Sequence, residues 1–417
     1  MAGNPPKMYM PEGHVRDRIS FTDEIGDVAE HFSLEGAEDG SQGPMGELNI
    51  RHRTARTWRD RFGGVQNVGG SSTVKRVLVT GAGGFVGRHT FNPLRALGFE
   101  VHGVLMPGEV LDSCGVITHG VDLLDPHEAR QLLCDVAPSH LLHLAWCTEH
   151  GEYWEAQDNL DWVAASLLLA RSFAEHGGKR MVMVGSCAEY SWPTSNGIRQ
   201  GTNILVPLER SWGEGGVRKE IDPPSTGEDA CENATCIEGV TSCNPETLYG
   251  ISKHVLHKLI SEFNARVGVS GAWARVFYLY GPGEDPRRLV ASVILSLLSG
   301  EVADCTHGEQ VRDFLHVADA GSALAALVDS SVEGPVNVAS GNGTPVRELL
   351  SMLGKHLGRG DLIRFGAKSV PPGDPPVLVA DTRRLNDEVG WEPAMGLETG
   401  LEATVTWWRN RLEGRES

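Results

Sequence analysis

The chain has 417 residues, 40% of them hydrophobic, and this length allows two or three domains with well-buried cores. Its formal net charge of −18 argues against nucleic acid and anionic membranes as partners, because both attract basic protein surfaces. The chain has no apolar run of transmembrane length and its opening residues lack the pattern of a secretory signal, so we expect a soluble cytoplasmic protein.

The N-terminal part of the sequence differs from the rest. Residues 1–73 are polar and rich in glycine and acidic side chains, and they end in "GGVQNVGGSST" at 63–73, a stretch typical of a linker. We predict an N-terminal extension over this segment and a folded region from residue 74. The sequence of the extension indicates no function.

From Lys75 onward, apolar β-branched runs alternate with amphipathic segments. The predicted strands are "RVLVT" at 76–80, "EVHGVL" at 100–105, "HLLHLA" at 140–145, "RMVMVG" at 180–185 and "GAWARVFYL" at 271–279. The predicted helices between them include "FVGRHTFNPLRALG", "PHEARQLLCDV" and "EAQDNLDWVAASLLLARSFAEHG". Near-continuous apolar strands separated by helices predict an α/β fold with a doubly wound parallel sheet of the Rossmann type.

The junction after the first predicted strand carries a glycine triplet. In "VLVTGAGGFVGRHT", Gly81, Gly84 and Gly87 are spaced at three-residue intervals between a strand and a helix. Glycines in this context form a tight turn, let backbone N–H groups approach a pyrophosphate, and allow close packing of helix on strand. The helix N-terminus then faces the phosphate anion. The triplet therefore predicts a dinucleotide site.

The stretch "ETLYGISKH" places Tyr249 four residues before Lys253, so that a helix would bring both to one face. By itself, this spacing is typical of an ordinary surface pair. Six motifs in a fixed order change that interpretation: "TGAGGFVG" at 80–87, "GVDLLD" at 120–125, "LLHLAW" at 141–146, "VGSCAEY" at 184–190, "YGISK" at 249–253 and "RDFLHVADA" at 312–320. In this order they resemble the extended short-chain dehydrogenases/reductases, specifically the NAD-dependent epimerase/dehydratase family acting on nucleotide sugars.

The resemblance implies a catalytic role for Ser186, Tyr249 and Lys253. In that family, the tyrosine exchanges a proton with the substrate oxygen while hydride moves between the substrate carbon and the nicotinamide. A tyrosine has an unperturbed pKa near 10, and we expect Lys253 to lower the pKa of Tyr249. Ser186 would hydrogen-bond the reacting oxygen, although a serine that caps the turn after a strand is the alternative for this residue alone.

The same resemblance implies a cofactor site, for NAD or NADP, made of Gly81, Gly84, Phe85, Val86, Gly87, Asp122, Leu123, Ala145, Tyr249 and Lys253. The choice between the two cofactors depends on whether an acidic or a basic residue follows the second strand. No such residue follows that strand directly. Glu109 is the candidate for contact with the ribose, and Arg88 is the candidate for contact with a phosphate.

For the substrate, the resemblance implies that Arg312 pairs with the nucleotide diphosphate, a role suited to its forked guanidinium. Ser186 and Tyr278 would also contact the substrate, and Tyr278 stands where many relatives carry asparagine. Asn159 matches a position that steadies the active-site backbone, with a helix-surface asparagine as the alternative. The nucleotide-sugar 4,6-dehydratases carry an Asp-Glu pair immediately after the catalytic Ser/Thr, whereas this chain has Cys187 and Ala188 there.

The absence of those carboxylates disfavours elimination, because elimination requires an acid and a base. What remains is hydride chemistry at C4 of a nucleotide-linked sugar. We expect a 4-keto-sugar reductase, with a 4-epimerase as the alternative. A catalytically silent NAD(P)-binding sensor or scaffold is the competitor from another class, because a long polar insertion at about 191–244 separates Tyr190 from Tyr249.

Eight cysteines over this length are too few for a disulfide scaffold. Cys231, Cys236 and Cys243 lie in the insertion with a spacing that fits no zinc pattern, so we predict free thiols and no metal site. We predict a Rossmann domain over 74–281 and a substrate-binding domain over 282–417, with about 311–338 returning to the Rossmann core. The resemblance also implies a homodimer formed through the helix of "ISKHVLHKLISEF".

Overall fold

A seven-stranded parallel sheet lies at the centre of the structure, which is a computed structural model that describes residues 74–111, 115–191, 235–371 and 373–414. The strand order is β11-β7-β5-β4-β1-β2-β3, and every adjacent pair is parallel. The strands are β1 (Arg76–Thr80), β2 (Glu100–Leu105), β3 (Val116–Gly120), β4 (His140–His143), β5 (Arg180–Ser186), β7 (Ser270–Val276) and β11 (Gly334–Val338). The prediction of a doubly wound parallel sheet is confirmed.

Helices cover both faces of this sheet. They are α1 (Phe91–Ala96), α2 (Pro126–Val136), α3 (Asp158–Glu175), α4 (Leu248–Val267) and α6 (Val317–Asp329). Helices α1 and α6 bury their apolar residues in one core cluster, while α2, α3 and α4 bury theirs in a second cluster with the other side chains of the strands. Two apolar layers, one on each face, explain why the strands read as near-continuous apolar runs.

Local sequence signals set the ends of these helices. The Asp125 carboxylate accepts the N–H groups of His127 and Glu128, and Pro126 occupies the first helical position of α2. The Thr247 hydroxyl accepts the N–H of Gly250 and begins α4, which ends at Gly268 in the left-handed conformation. The N-cap at Thr247 places Tyr249 and Lys253 on the first two turns of α4.

A smaller second sheet has the order β12-β10-β14-β6, with β8 paired to β10. Its strands are β6 (Thr235–Cys236), β8 (Tyr278–Tyr280), β10 (Val311–His316), β12 (Gly343–Pro345) and β14 (Val377–Ala380), and a separate pair joins β9 (Ala303–Asp304) to β13 (Ile363–Arg364). Helices α5 (Leu289–Ser299), α7 (Val346–Leu357) and α8 (Leu397–Leu412) share a third core cluster. Short 3-10 helices span Gly87–His89, Cys187–Glu189 and Gly360–Leu362, and a π-helix spans Arg384–Glu388.

The segment predicted as one strand at 271–279 is two strands. β7 ends at Val276, and β8 continues the chain into the second sheet, where Tyr278 pairs with Phe314. The sheet change occurs at Phe277, whose N–H donates to the carbonyl of Val338 on β11. Residues 334–338 are the edge strand of the seven-stranded sheet, whereas 311–316 belong to the smaller one. The proposed division into two domains stays a prediction.

The N-terminal extension and most of the predicted insertion, including Cys231, lie outside the described residues. The described part of the insertion begins at residue 235 with β6, which pairs in parallel with β14. Within the described ranges, no helix has both the length and the apolarity needed to cross a lipid bilayer.

Candidate active site

The glycine loop after β1 has the three geometries that a dinucleotide-binding turn requires. Gly81 has a φ of +66°, and a Cβ there would lie 2.9 Å from the amide nitrogen of Ala145. A Cβ on Gly87 would lie 2.2 Å from the carbonyl oxygen of Gly81, so only glycine allows this close packing. Gly84 is exposed and open to a ligand. The loop therefore fits a dinucleotide pyrophosphate.

The helix that follows this loop is shorter than the sequence predicts. Phe85 and Val86 precede a 3-10 turn at Gly87–His89, and α1 begins only at Phe91. Pro93 explains the interruption, because it has no N–H for the carbonyl of His89 and its ring would clash with that carbonyl in a continuous helix. The cradle for a phosphate consequently consists of loop N–H groups, with only a small contribution from a helix dipole.

The ends of β3 and β4 lie at the same carboxyl edge of the sheet as the glycine loop. The Thr80 hydroxyl accepts the N–H groups of Leu144 and Ala145, both at 3.1 Å, and fixes the backbone after β4 against the loop. Asp122 and Leu123 follow β3, and the Asp122 carboxylate accepts the N–H of Leu124 at 3.0 Å. Ala145 therefore contacts the glycine loop directly, while Asp122 closes its own turn.

Ser186 and Tyr249 meet at the end of β5. Ser186 is the last residue of β5, and its hydroxyl accepts the N–H of Ala188 at 3.1 Å. Tyr249 is half-buried at the start of α4, and its backbone N–H donates to the carbonyl of Trp154 at 3.0 Å. Burial raises the pKa of Tyr249, and a hydrogen bond with the Ser186 side chain opposes that rise. The Ser186 hydroxyl therefore caps the turn after β5 and also bonds Tyr249, while its expected bond to the reacting oxygen of a substrate stays a prediction.

Lys253 lies under this pair, with its side chain almost fully buried. The Nζ atom donates to the carbonyl of Val184 at 2.9 Å and lies 5.9 Å from the centre of the Tyr249 ring. Burial lowers the pKa of Lys253 to about 7, and the Glu189 carboxylate partly offsets this. Burial of the phenol is the largest effect on the pKa of Tyr249, and the expectation that Lys253 lowers this pKa, together with a bound nicotinamide ring, stays a prediction.

An aromatic cluster that the sequence did not reveal surrounds Tyr249. The rings of Tyr153, Trp154 and Trp146 lie edge-on to the Tyr249 ring at centroid distances of 5.0, 5.8 and 6.5 Å. Asn159 holds this loop, because its amide donates to the carbonyls of Tyr153 and Ala156 and its oxygen accepts the indole N–H of Trp146. Asn159 is 1% exposed, which excludes the alternative of a helix-surface asparagine.

Glu189 is the second feature that sequence reasoning missed. Its carboxylate is fully buried and accepts the backbone N–H of Ser186 at 2.9 Å, the indole N–H of Trp273 at 2.8 Å and the Nε–H of Arg275 at 3.1 Å. This carboxylate therefore points into the core and away from a substrate. The sequence signal that could have revealed this residue is its position in "SCAEY", three residues after Ser186.

The expected substrate residues lie together in the second sheet. The Arg312 guanidinium is 5.6 Å from the centre of the Tyr278 ring and forms an ion pair with Asp374 at 2.6 Å. The buried thiol of Cys187 lies in one apolar cluster with Tyr278. Cys187 directly follows Ser186, whose side chain bonds Tyr249. Tyr278, expected to contact the substrate, is thus a neighbour of the Ser186–Tyr249 pair.

Comparison with known proteins identifies the family of this chain. The model of the NAD dependent epimerase/dehydratase family matches residues 77–209 and 225–339, which is more than half of the chain. The matched region contains the glycine loop, Ser186, Tyr249, Lys253 and Arg312.

Curated relatives with different reactions are similar to this chain. UDP-glucuronic acid decarboxylase 1 of Xenopus tropicalis is 26% identical over 81% of this chain and 73% of its own length. UDP-glucose 4-epimerase of Rhizobium meliloti is 27% identical over 81% of this chain and 98% of its own length. The dTDP-4-dehydro-6-deoxy-D-allose reductase of Streptomyces bikiniensis is 27% identical over 81% of this chain and 97% of its own length.

Among solved structures, UDP-glucose 4-epimerase from Thermotoga maritima with UDP-glucose superposes with a TM-score of 0.65 at 23% identity. The match covers 81% of this chain and 99% of the epimerase. This likeness establishes the fold.

Proposed function

Since this chain belongs to the NAD-dependent epimerase/dehydratase family and is an NAD(P)-dependent enzyme of the extended short-chain dehydrogenases/reductases, we propose that it transfers hydride at C4 of a nucleotide-linked sugar. Net reduction of a 4-keto sugar is the reaction that we favour. The second candidate is 4-epimerisation, which is supported by the nearly full-length match to a UDP-glucose 4-epimerase.

The orientation of Glu189 carries this proposal. Elimination of water from a sugar needs an acid and a base next to the reacting carbons. Position 188 is alanine, position 187 is a thiol whose pKa burial raises to about 12, and the Glu189 carboxylate is bound by Arg275 and Trp273 in the core. The turn after Ser186 thus presents no free carboxylate, which supports simple hydride chemistry.

In the proposed reaction, each residue of the site has a defined task. Ser186 and Tyr249 hydrogen-bond the C4 oxygen of the sugar, and Tyr249 holds the proton that this oxygen gains or loses. Bound nicotinamide supplies or accepts the hydride. The Lys253 ammonium donates to the ribose hydroxyls of the cofactor. Arg312, with Tyr278 beside it, binds the diphosphate of the substrate in exchange for its present partner Asp374.

The decisive experiment follows the absorbance of NADH or NADPH with purified protein and a panel of substrates. The panel contains dTDP-, CDP-, UDP- and GDP-linked 4-keto-6-deoxy sugars, and Tyr249→Phe is the control, because it removes only the phenol hydroxyl. We expect the wild type to consume reduced nicotinamide with one of these nucleotides and the variant to lose at least about a hundredfold in rate, the usual scale of general acid catalysis.

Other outcomes would assign this chain a different reaction of the family. Incubation with UDP-glucose and UDP-glucuronic acid, followed by NMR, separates the alternatives. Inversion at C4 without net nicotinamide consumption would establish an epimerase, and release of carbon dioxide would establish a decarboxylase. Binding of NAD with no turnover of any sugar would refute the enzymatic proposal and favour the sensor or scaffold.

For the cofactor, we propose a preference for NAD that Glu109 enforces. Its carboxylate accepts the N–H of Met106 at 3.1 Å and lies 3.2 Å from the place where a Cβ of Gly83 would be, beside the glycine loop. Arg88 is turned back onto the carbonyls of Gly83 and Gly84 at 2.6 and 3.2 Å, which uses two of its five N–H donors. A carboxylate at this place accepts ribose hydroxyls and repels the additional phosphate of NADP.

The cofactor preference is tested by calorimetry with NAD and NADP. We expect Glu109→Gln to reduce the ratio of the two affinities at least tenfold, because the variant loses the repulsion of the phosphate. Arg88→Gln is the matched control and should leave the preference for NAD in place. A wild type that binds NADP as tightly as NAD would contradict the role of Glu109.

We also propose that the chain forms a homodimer through α4. Ile251, Val255 and Leu259 recur every four residues on this helix and are 42%, 44% and 46% exposed. Leu160 on the adjacent α3 is 58% exposed and extends this apolar surface. Light scattering should find a dimer for the wild type and a monomer for Val255→Glu. Leu412→Glu on α8 is the matched control, and a dimeric Val255→Glu would contradict this interface.

A further inference from the structure

The ammonium group of Lys253 has an indole ring for a neighbour. The Nζ atom lies 3.7 Å from the centre of the Trp146 ring, well within the range of a cation–π contact. The same atom donates to the carbonyl of Val184 at 2.9 Å and lies 5.9 Å from the centre of the Tyr249 ring. Lys253 is 5% exposed, so this contact is formed away from bulk water, where cation–π attraction is strongest.

Trp146 is itself held rigidly from several directions. It follows Ala145, whose backbone the Thr80 hydroxyl fixes, and its indole N–H donates to the Asn159 amide oxygen at 2.8 Å. The Trp162 ring of α3 stacks against it at a centroid distance of 6.3 Å. These contacts fix the plane of the Trp146 ring, and the Lys253 side chain lies over its face.

We propose that Trp146 is a positioning residue that keeps Lys253 charged and directed toward the cofactor. A buried lysine tends to lose its proton, because burial disfavours the charged form. The negative face of an indole opposes this loss without adding a charge or a competing acceptor. The proposal rests on the proposed role of Lys253 in binding the nicotinamide ribose, because a neutral amine is a weaker donor to those hydroxyls.

The other groups around Lys253 leave this effect visible. His143 on β4 has a pKa lowered to about 3 by burial, so it stays neutral across the working range. Tyr249, on the same helix as Lys253, keeps its proton because burial raises its pKa. Glu189, after β5, raises the pKa of Lys253. His143 and Glu189 are held by bonds to residues other than Trp146, and Tyr249, whose ring packs edge-on to Trp146, is anchored by its backbone bond to Trp154.

The test measures the affinity for NAD as a function of pH by calorimetry, with Trp146→Leu and Trp146→Phe. Leucine keeps the site apolar but has no ring, whereas phenylalanine has a weaker negative face than indole. In the wild type, we expect affinity to fall with rising pH as Lys253 loses its proton. The midpoint should move down by about one pH unit in Trp146→Leu and by less in Trp146→Phe.

Trp407→Leu on α8 is the matched control, since it removes an indole that faces Arg411 rather than Lys253, and it should leave the midpoint unchanged. Equal midpoints in the wild type and both Trp146 variants would overturn the proposal. If circular dichroism shows that Trp146→Leu does not fold, Trp146→Phe decides: a lowered midpoint supports the proposal and an unchanged one refutes it.

Binding without turnover still reports on Lys253, so a failure to find a sugar substrate would reject the proposed reaction alone. A wild type that binds no NAD at any pH would overturn the cofactor role of Lys253 and this proposal with it.

Discussion

Replacement of Glu189 by glutamine tests how the turn after Ser186 is held. The side chains of Glu189 and Arg275 are 0% and 3% exposed, and their ion pair has a distance of 3.1 Å. Glutamine retains an oxygen for the N–H groups of Ser186 and Trp273, but it removes the charge that faces Arg275. A buried pair that loses one partner typically loses 3–5 kcal/mol of stability. Arg275 keeps its bond to the Tyr190 hydroxyl at 3.2 Å. We therefore expect Glu189→Gln to lower the free energy of unfolding by about 3 kcal/mol, the lower end of that range.

The assay is equilibrium unfolding in urea, followed by tryptophan fluorescence. Glu262→Gln is the matched control, because it breaks an ion pair with Arg266 in which both side chains are more than 70% exposed, and it should produce no measurable change. A further variant, Glu189→Leu with Arg275→Leu, removes both charges and should be more stable than Glu189→Leu alone. A loss below about 1 kcal/mol for Glu189→Gln would refute the assignment of a buried, charged pair.

Three other substitutions test the glycine loop, the loop over Tyr249 and the segment after β6. Gly87→Ala should abolish NAD binding and lower the melting temperature, because the new Cβ would lie 2.2 Å from the carbonyl oxygen of Gly81; retained binding would contradict the close packing. Asn159→Ala should increase hydrogen exchange, measured by mass spectrometry, across residues 146–156, because three hydrogen bonds of 2.7–2.8 Å are lost; unchanged exchange would show that the loop is held otherwise. Burial raises the pKa of Glu238 from its ordinary value of 4.5 to about 7. Between these pH values the unfolded state ionises this carboxyl before the folded state does, so the stability of the fold decreases as pH rises from about 4.5 through 7. Glu238→Gln should therefore gain stability relative to the wild type at pH 8 and not at pH 4 in urea unfolding, and an equal difference at both pH values would refute this.

The parts of the fold that the sequence predicted best are those set by local signals. Strands β1 and β2 and helix α2 have the predicted bounds to the residue, because each apolar run is bordered by turn or capping residues such as Gly81 and Asp125. The helix after the glycine loop was predicted too long. The helical spacing of apolar residues continues through Pro93, but a continuous ladder of backbone hydrogen bonds is impossible there because proline has no N–H. The strand change at Phe277 depends on pairing with β10 and carries no local signal.

The candidate site shows the same division. Ser186, Tyr249 and Lys253 were found because the motifs that contain them are short and ordered along the chain. The contacts of Trp146 with Lys253, of Glu189 with Arg275 and of Arg312 with Asp374 join residues far apart in sequence. Pattern reasoning cannot pair such residues, because periodicity constrains only which face of an element a residue occupies and not which element packs against it.

The buried pair beneath the site also links the two sheets. Arg275 donates to the Tyr190 hydroxyl, which donates to the Asn337 amide oxygen at 2.7 Å. The Asn337 amide in turn donates to the carbonyls of Cys236 at 2.8 Å and Asp381 at 3.1 Å, at the ends of β6 and β14. A continuous polar chain thus extends from the Ser186 turn, through Glu189, to the segment on which the long insertion returns. Because buried polar groups are costly to leave unpaired, a displacement of β6 would strain the whole chain of bonds. Hydrogen bonds therefore connect the turn at Ser186 to β6, near the end of the insertion, as well as to the strand on which this serine lies.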